Sequence, residues 1–142
     1  MSDDTEDLSP AEMIYAGIQL IRPLLRNITS RLEADLEHLG IGVGERAILE
    51  VLLSVPKATG PEITQILEVK RQLVGRLLKE LVERDLLVSV PNPHHKSSHY
   101  YALTTESRDL IECIRATEMA RIGEFAKSFT ADEIRAYYAI QL

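Results

Sequence analysis

The chain has 142 residues, of which 45% are hydrophobic and 27% charged, and its 16 Lys and Arg against 22 Asp and Glu give a formal net charge of −6. Such a chain fits one soluble domain that needs no disulfide or metal to form a core, and its single cysteine excludes an internal disulfide. No apolar run approaches the about 20 residues of a membrane-spanning helix, and the N-terminus is acidic, unlike a secretory signal. We therefore expect a cytoplasmic protein with no membrane partner, and its acidity argues at first against nucleic acid.

A long amphipathic helix is predicted after an acidic tail over residues 1–8. Residues 9–12 form an S-P-x-E start signal, and Ile or Leu then recurs every three or four residues over 14–39, until Gly40 ends the pattern. Pro23 is expected to kink or break this helix. Because the apolar stripe is too long to be buried within so small a domain, we expect it to pack against a second subunit.

The middle of the chain has the pattern of a helix-turn-helix followed by a hairpin. A T-x-x-E start signal at residues 59–62 opens a short helix, and residues 70–84 carry a broad apolar stripe. Two short helices this close in sequence are typical of a helix-turn-helix. Residues 86–90 and 99–103 are rich in β-formers and flank a polar, turn-rich stretch, which predicts a two-stranded hairpin with a long tip.

Two closing helices complete a fold that we predict to be mainly α with a small two-stranded β-hairpin, a winged helix-turn-helix. Thr104 and Thr130 are expected to cap these helices. Cys113 lies on an apolar helical stretch and is predicted to be a small buried side chain. The sequence has no nucleophile motif, phosphate-binding glycine loop or paired carboxylates beside a His. We therefore predict that the protein is not an enzyme and binds no cofactor.

The second helix of the helix-turn-helix carries a basic face. Four cations lie within ten residues, with no acid among them: Lys70, Arg71, Arg76 and Lys79. At about 100° per residue, Gln72 and Gly75 share a face with Arg76 and Lys79, and the apolar residues face the other way. Those apolar residues are Leu73, Val74, Leu77, Leu78 and Leu81. Residues 57–101 have seven basic and five acidic residues, a balance of +2 that leaves −8 on the rest of the chain.

Such a face is either merely solvated or a site for DNA, and two details favour DNA. Lys70 stands just before the helix, where a cation opposes the helix dipole unless an external anion, such as a phosphate, is bound there. Gly75 costs about 0.8–1 kcal/mol relative to Ala in mid-helix, and its lack of a side chain would let a DNA backbone or base edge come close.

From Pro61 to Thr104 the sequence resembles the MarR family of winged helix-turn-helix transcriptional regulators. The resemblance rests on the run EITQILEVKRQLVGRLLKELVERDLLV and on the wing VPNPHHKSSHYYALT. It implies a single domain over residues 9–142 that forms a homodimer on double-stranded DNA, with one helix in the major groove and a wing in the minor groove. By the same resemblance, the dimerisation helices span residues 9–40 and 104–142, the DNA-binding lobe spans 43–103, and the wing spans about 86–103.

Carried over by position, the DNA-binding residues fall on the recognition helix and the wing tip. They are Lys70, Arg71, Gln72, Gly75, Arg76, Lys79, His95, Lys96 and Ser97. Gln72 and Arg76 are the candidates for reading bases, because Gln pairs with adenine and Arg with guanine, and the remaining cations are candidates for phosphates.

Some positions depart from the family pattern. The tip has His95, Lys96 and Ser97 where the family commonly has an Asp-Arg pair and a further cation, so the geometry of the tip is left open. Glu68 and Asp85 occupy the usual glycine positions on either side of the recognition helix.

The resemblance also implies a ligand-responsive repressor that binds a small aromatic or phenolic acid. Candidate ligand-binding residues are Tyr15, His38 and Arg46, although each of these residues is more typical of an ordinary surface or interface position.

Three histidines of the wing, His94, His95 and His99, lack the fixed geometry of a metal site, and we predict none. As titrating charges they would raise operator affinity as the pH falls from about 7.5 to 6. The main alternative function is a winged-helix protein-interaction module that has lost DNA binding, which the overall acidity and the altered wing favour. An enzyme is the third reading.

Overall fold

The computed structural model describes residues 7–95 and 97–142, which leaves the first six residues of the predicted acidic tail and Lys96 outside the described residues. The described helices are α1 Pro10–Glu37, α2 Val43–Ser54, α3 Gly60–Leu67, α4 Arg71–Glu83, α5 Thr105–Ala126 and α6 Ala131–Gln141. The strands are β1 Ala58–Thr59, β2 Leu87–Pro91 and β3 His99–Leu103. The predicted fold class, mainly α with a small hairpin, is confirmed. Within the described ranges, no helix combines the length and hydrophobicity needed to cross a membrane.

Four of the helices begin with the predicted capping signals. In each helix, the hydroxyl of the N-cap residue accepts a hydrogen bond from the backbone amide three residues later. The side chain of that later residue in turn accepts a hydrogen bond from the backbone amide of the N-cap residue. The pairs are Ser9 with Glu12, Thr59 with Glu62, Thr104 with Ser107, and Thr130 with Glu133. The bonds from Ser9 hold the pKa of the Glu12 carboxyl below its ordinary value, because they favour the ionised form.

Helix α1 is one uninterrupted helix of 28 residues, so Pro23 does not break it. The helix ends at Glu37, and Gly40 closes the turn after it, as predicted: its φ of 66° directs the chain so that the amide of Ile41 donates to the carbonyl of Leu36 at 3.4 Å. Leu36 is the one buried residue described within this helix. Nine of its other large apolar side chains are 47–67% exposed, namely Met13, Ile14, Tyr15, Ile18, Leu20, Ile21, Leu24, Leu25 and Ile28.

The chain divides into two compact units, and the second unit, residues 44–142, has its own apolar core. Its fully buried side chains come from α2, α3, α4, β2 and α5, and include Ile48, Leu49, Leu52, Ile63, Leu81, Leu87 and Ile111. Helix α4 packs closely on α2, because a Cβ at Gly44 would lie only 2.8 Å from a methyl carbon of Leu77. Leu73 was predicted on the packed side of α4 but is 37% exposed. On the helical wheel it lies at the border of the apolar stripe, about 60° from Arg76.

The sheet contains one strand more than the predicted hairpin. Strands β2 and β3 form the expected antiparallel pair, from Leu87 opposite Leu103 to Pro91 opposite His99. The short strand β1 adds to the other edge of β3, with Thr59 opposite Tyr100, so the strand order is β1-β3-β2. Two residues are too few to give an alternating pattern, and for that reason the sequence did not reveal β1.

The prediction for Cys113 was wrong, because the cysteine is exposed. The buried residues of α5 are Ser107, Ile111 and Ile114, which follow one another at intervals of four and three. Cys113 lies about 100° from Ile114 on the helical wheel, which places it off this stripe. Helix α6 has no buried residue among those described.

Candidate nucleic-acid interface

The recognition helix α4 begins without a side-chain cap. Lys70 is its N-cap residue, as predicted, in extended conformation (φ −66°, ψ 134°), and its side chain makes no capping hydrogen bond. The first backbone N–H groups of a helix lack partners within it, and together with the helix dipole they favour an anion at this end. The start of α4 therefore combines amide donors with the positive charge of Lys70.

The four cations at the start of this helix and along it are not paired with carboxylates among the described residues. Lys70, Arg71, Arg76 and Lys79 are all exposed, and none forms an ion pair with any residue that the structure describes. Cations elsewhere do pair with acids, as Arg46 does with Glu118. The positive charge of α4 is thus available to a partner molecule.

Gly75 leaves a gap in the exposed face of α4. The side chains of Gln72, Arg76 and Lys79 are exposed beside it, as the helical periodicity predicted. A Cβ built at Gly75 would meet no atom within 4 Å, so no contact inside this chain requires a glycine here. The missing side chain instead lowers the surface of the helix at the centre of its basic face.

A groove of about 360 Å³ lies between α4 and the wing, which comprises β2, β3 and the tip between them. It brings together four of the predicted DNA-binding residues, Arg71 and Gly75 on α4 with His95 and Ser97 at the tip. Lys96 lies outside the described residues. The groove is also lined by polar or backbone groups that were not among the predicted DNA-binding residues: Gly60, Pro61, Thr64, Ser98, His99 and Tyr101. The capping box at Thr59 marks the start of α3 and is the signal by which Gly60 and Pro61 could have been found.

The wing tip is folded by its own short-range hydrogen bonds. The side-chain carbonyl of Asn92 accepts from the amide of His94 at 3.0 Å, and its backbone carbonyl accepts from the amide of His95 at 3.2 Å. The ring Nδ1 of His95 lies 3.3 Å from the hydroxyl of Ser97, and the amide of Ser98 donates to the carbonyl of His95. These bonds give the tip a defined turn without the family's Asp-Arg pair. Over the described ranges, no three His, Cys, Asp or Glu side chains are grouped so that they could hold a metal ion.

Both turns that flank α4 adopt a left-handed backbone at the positions where glycine was missing. Glu68 has a φ of 53° and Asp85 a φ of 57°. This conformation is less favourable for a residue with a side chain than for glycine. The two turns nevertheless keep the geometry that glycine would favour. The carbonyl of Asp85 also accepts a hydrogen bond from the hydroxyl of Thr104 at 3.0 Å.

The three candidate ligand residues lie in different settings. Tyr15 on α1 is 64% exposed, and His38 at the end of α1 is exposed as well. Arg46 on α2 is engaged with the carboxylate of Glu118 on α5, and this hydrogen-bonded partner raises the pKa of the guanidinium against the effect of burial. Its charge is therefore already compensated within the chain.

These elements define a winged helix-turn-helix protein. Helices α3 and α4 are joined by a three-residue turn, and a basic, unpaired face of α4 lies beside an antiparallel wing.

Comparison with known proteins gives the family. Residues 39–96 match the sequence profile of the MarR family. A crystal structure of a MarR family transcription regulator is 40% identical, with a TM-score of 0.88 over 92% of this chain and 87% of that one. The chain belongs to the MarR family of winged helix-turn-helix transcriptional regulators.

Two solved complexes share the fold at lower identity. A mutant MarR from E. coli complexed with operator DNA is 23% identical, with a TM-score of 0.77 over 94% of this chain and 96% of that one. The S. aureus MepR–DNA complex is 18% identical, with a TM-score of 0.77 over 87% of this chain and 91% of that one. No curated protein sequence matches the chain significantly.

Proposed function

We propose that this regulator binds a pseudo-palindromic DNA operator as a homodimer and acts in the cytoplasm as a ligand-responsive repressor. The observation that carries the proposal is the exposed face of α4, with four cations that no described carboxylate neutralises. Cations in this state can replace the counterions of DNA without first breaking an internal ion pair. The regional balance of +2 against an overall charge of −6 limits indiscriminate binding to DNA.

Within this face, two side chains suit bases and the others suit the DNA backbone. Gln72 and Arg76 lie one helical turn apart, and their amide and guanidinium groups make two-point contacts with adenine and guanine in the major groove. Lys70, Arg71 and Lys79 are candidates for phosphates. His95, Lys96 and Ser97 complete the proposed interface at the wing tip.

Dimerisation is supported by the apolar side chains that a single chain leaves exposed. In α1 they include Ile14, Ile18, Ile21 and Leu25, and after α4 they include Phe125, Phe129, Ile134, Tyr137 and Ile140. Exposed apolar surface of this extent marks an interaction site in a soluble protein. We therefore assign residues 9–40 and 104–142 to the dimer interface and residues 43–103 to the DNA-binding lobe.

The proposed ligand is a small aromatic or phenolic acid, as the resemblance to the family implies. Tyr15 offers an exposed ring and His38 an exposed imidazole. A ligand carboxylate that bound Arg46 would have to compete with Glu118, so it would loosen the attachment of α2 to α5.

Selection of bound duplexes from random DNA by the purified protein tests this function. We expect recovery of a palindrome with half-sites about one helical turn apart. Its affinity should fall steeply with rising salt, because each neutralised phosphate releases counterions. If no duplex is retained at any salt concentration, the protein is instead the winged-helix interaction module that the acidity and the altered wing also suit.

A further inference from the structure

We propose that Arg46 is a positioning residue: ion pairs through α2 fix the recognition helix relative to α5 and thereby set the half-site spacing that the dimer accepts. This inference rests on the proposed function, in which α5 belongs to the dimer interface and α4 to the DNA interface. It assigns to α2 a role in DNA selection although α2 need not contact DNA.

The first link joins α2 to α5. The Nε of Arg46 donates to Oε1 of Glu118 at 2.7 Å, and a terminal nitrogen donates to Oε2 in a second, closer contact. The two side chains are only 20% and 22% exposed. A two-point pair between a planar guanidinium and a carboxylate constrains direction as well as distance, which a single contact to a lysine would not.

The second link joins the next residue of α2 to the recognition helix. Oε2 of Glu45 accepts from a terminal nitrogen of Arg84 at 3.0 Å, and Arg84 is the C-cap residue of α4. The methyl group of Leu77 also fills the space that a side chain at Gly44 would need. Three consecutive residues of α2 thus connect it to α4 on one side and to α5 on the other.

The contacts described between α2 and α4 include an apolar one, Leu77 against Gly44, whereas those described between α2 and α5 join charged groups. Beside the Arg46–Glu118 pair, Arg115 of α5 approaches Glu50 of α2 at 3.6 Å. The second oxygen of Glu50 is buried without a hydrogen-bond partner, so it relies on the nearby charge of Arg46. Arg46 therefore compensates two carboxylates, and its two-point bond to Glu118 sets the orientation.

The orientation of α4 relative to α5 matters because the half-sites of an operator lie at a fixed distance from each other. Successive base pairs are about 3.4 Å apart along the DNA axis, so a dimer accepts one half-site spacing only if its two recognition helices are held to within about that distance. Any rotation of α5 against α2 moves α4 with α2, because Leu77 and Arg84 attach α4 to it. The Arg46–Glu118 bond is the contact that resists this rotation.

The experiment compares operators that differ only in spacing. The full-length wild type and Glu118→Gln are titrated with the selected operator and with versions whose half-sites are one base pair closer or further apart. We expect the wild-type preference for one spacing to fall roughly tenfold in the variant, the effect of about one hydrogen bond to a charged group. The matched control is Glu124→Gln, which removes an exposed pair with Lys127 on the same helix and should leave the preference unchanged.

Further variants separate positioning from folding. The exchanged pair Arg46→Glu with Glu118→Arg should restore the preference, and Arg46→Lys, which keeps the charge without the two-point bond, should lower it. The inference is overturned if Glu118→Gln and Arg46→Lys keep the wild-type preference or bind every spacing more weakly in equal proportion, or if the exchanged pair does not restore the preference. If Glu118→Gln does not fold, the result for Arg46→Lys decides. Failure of the wild type to bind any duplex would overturn the proposed function instead.

Discussion

Helix α1 and the winged segment, residues 44–103, differ in how far their apolar side chains are buried. Of the 28 residues of α1, only Leu36 is buried, and Ile14, Ile18 and Leu25 are about 60% exposed or more. The winged segment consists of much shorter elements, yet it buries twelve apolar residues, Leu52 and Ile63 completely. The winged segment therefore draws its stability from contacts within one chain, whereas the apolar side chains of α1 would be covered only in the proposed dimer.

Charged side chains differ between regions in a similar way. Arg46 on α2 and Arg115 on α5 pair with acids, whereas the cations of α4 have no such partner among the described residues. The paired cations join helices of the chain to one another, and the unpaired ones belong to the face that we propose binds DNA. This contrast and that in burial lead to four predictions.

The largest effect is expected from a charge placed on the apolar face of α1. Ile21→Glu should abolish dimer formation, because a two-fold dimer would contain the buried charge twice and each costs several kcal/mol. Sedimentation velocity should show monomers, and binding to the operator should be lost while the circular dichroism of the chain persists. Gln19→Glu on the same helix is the control, and a stable dimer of Ile21→Glu would mean that this face is not the interface.

A truncation inside the winged segment should act on folding instead. Leu52→Ala is expected to lower the free energy of unfolding by about 2–5 kcal/mol, because it leaves a cavity in a closely packed core. Urea denaturation followed by circular dichroism measures this loss. Under conditions where the chain is monomeric, Ile18→Ala should change stability by less than about 0.5 kcal/mol, as for other exposed positions. Equal losses for the two variants would contradict the comparison.

The unpaired cations can be divided by their dependence on DNA sequence. Arg76→Ala should cost roughly 1–3 kcal/mol of binding free energy and relax the choice of base at one operator position. Lys79→Ala should weaken binding to all sequences alike and reduce the salt dependence. Binding assays with single-position operator variants distinguish the two. An equal loss for Arg76→Ala on every sequence would assign this arginine to a phosphate.

The smallest effect concerns Gly75, where stability and binding should change in opposite directions. Gly75→Ala is expected to raise the free energy of unfolding by about 0.8–1 kcal/mol, since alanine is the better helix former and its methyl group meets open space. The same methyl group should lower operator affinity if DNA comes close at this point. Thermal denaturation and binding measured on one preparation provide the check, and unchanged affinity would remove Gly75 from the interface.

The sequence was most informative where structure depends on neighbours along the chain. The capping boxes at Thr59 and Thr130 join residues three positions apart and were predicted correctly, as was the cap at Thr104, whose partner Ser107 the sequence did not indicate. The exposed basic face of α4 followed from helical periodicity, and the end of α1 followed from Gly40.

Features that depend on distant contacts were not predictable in this way. Strand β1 exists because Ala58 and Thr59 meet β3, about forty residues further along the chain. Whether Cys113 is buried depends on which face of α5 packs against the rest of the chain, and the sequence of α5 alone does not identify that face. The groove beside Arg71 needs α3, α4 and the wing to meet, so only the folded chain reveals its lining.

Thr59 joins the wing to the helix-turn-helix. It is paired with Tyr100 of the wing through β1, and its hydroxyl also caps α3 by accepting from the amide of Glu62 at 3.3 Å. A lone two-stranded hairpin would be marginally stable and could swing freely. Here a force on the wing tip is transmitted through β3 to the first turn of α3. The wing and the helix-turn-helix are therefore mechanically coupled, so that in the proposed complex a displacement of one from the DNA would strain the contacts of the other.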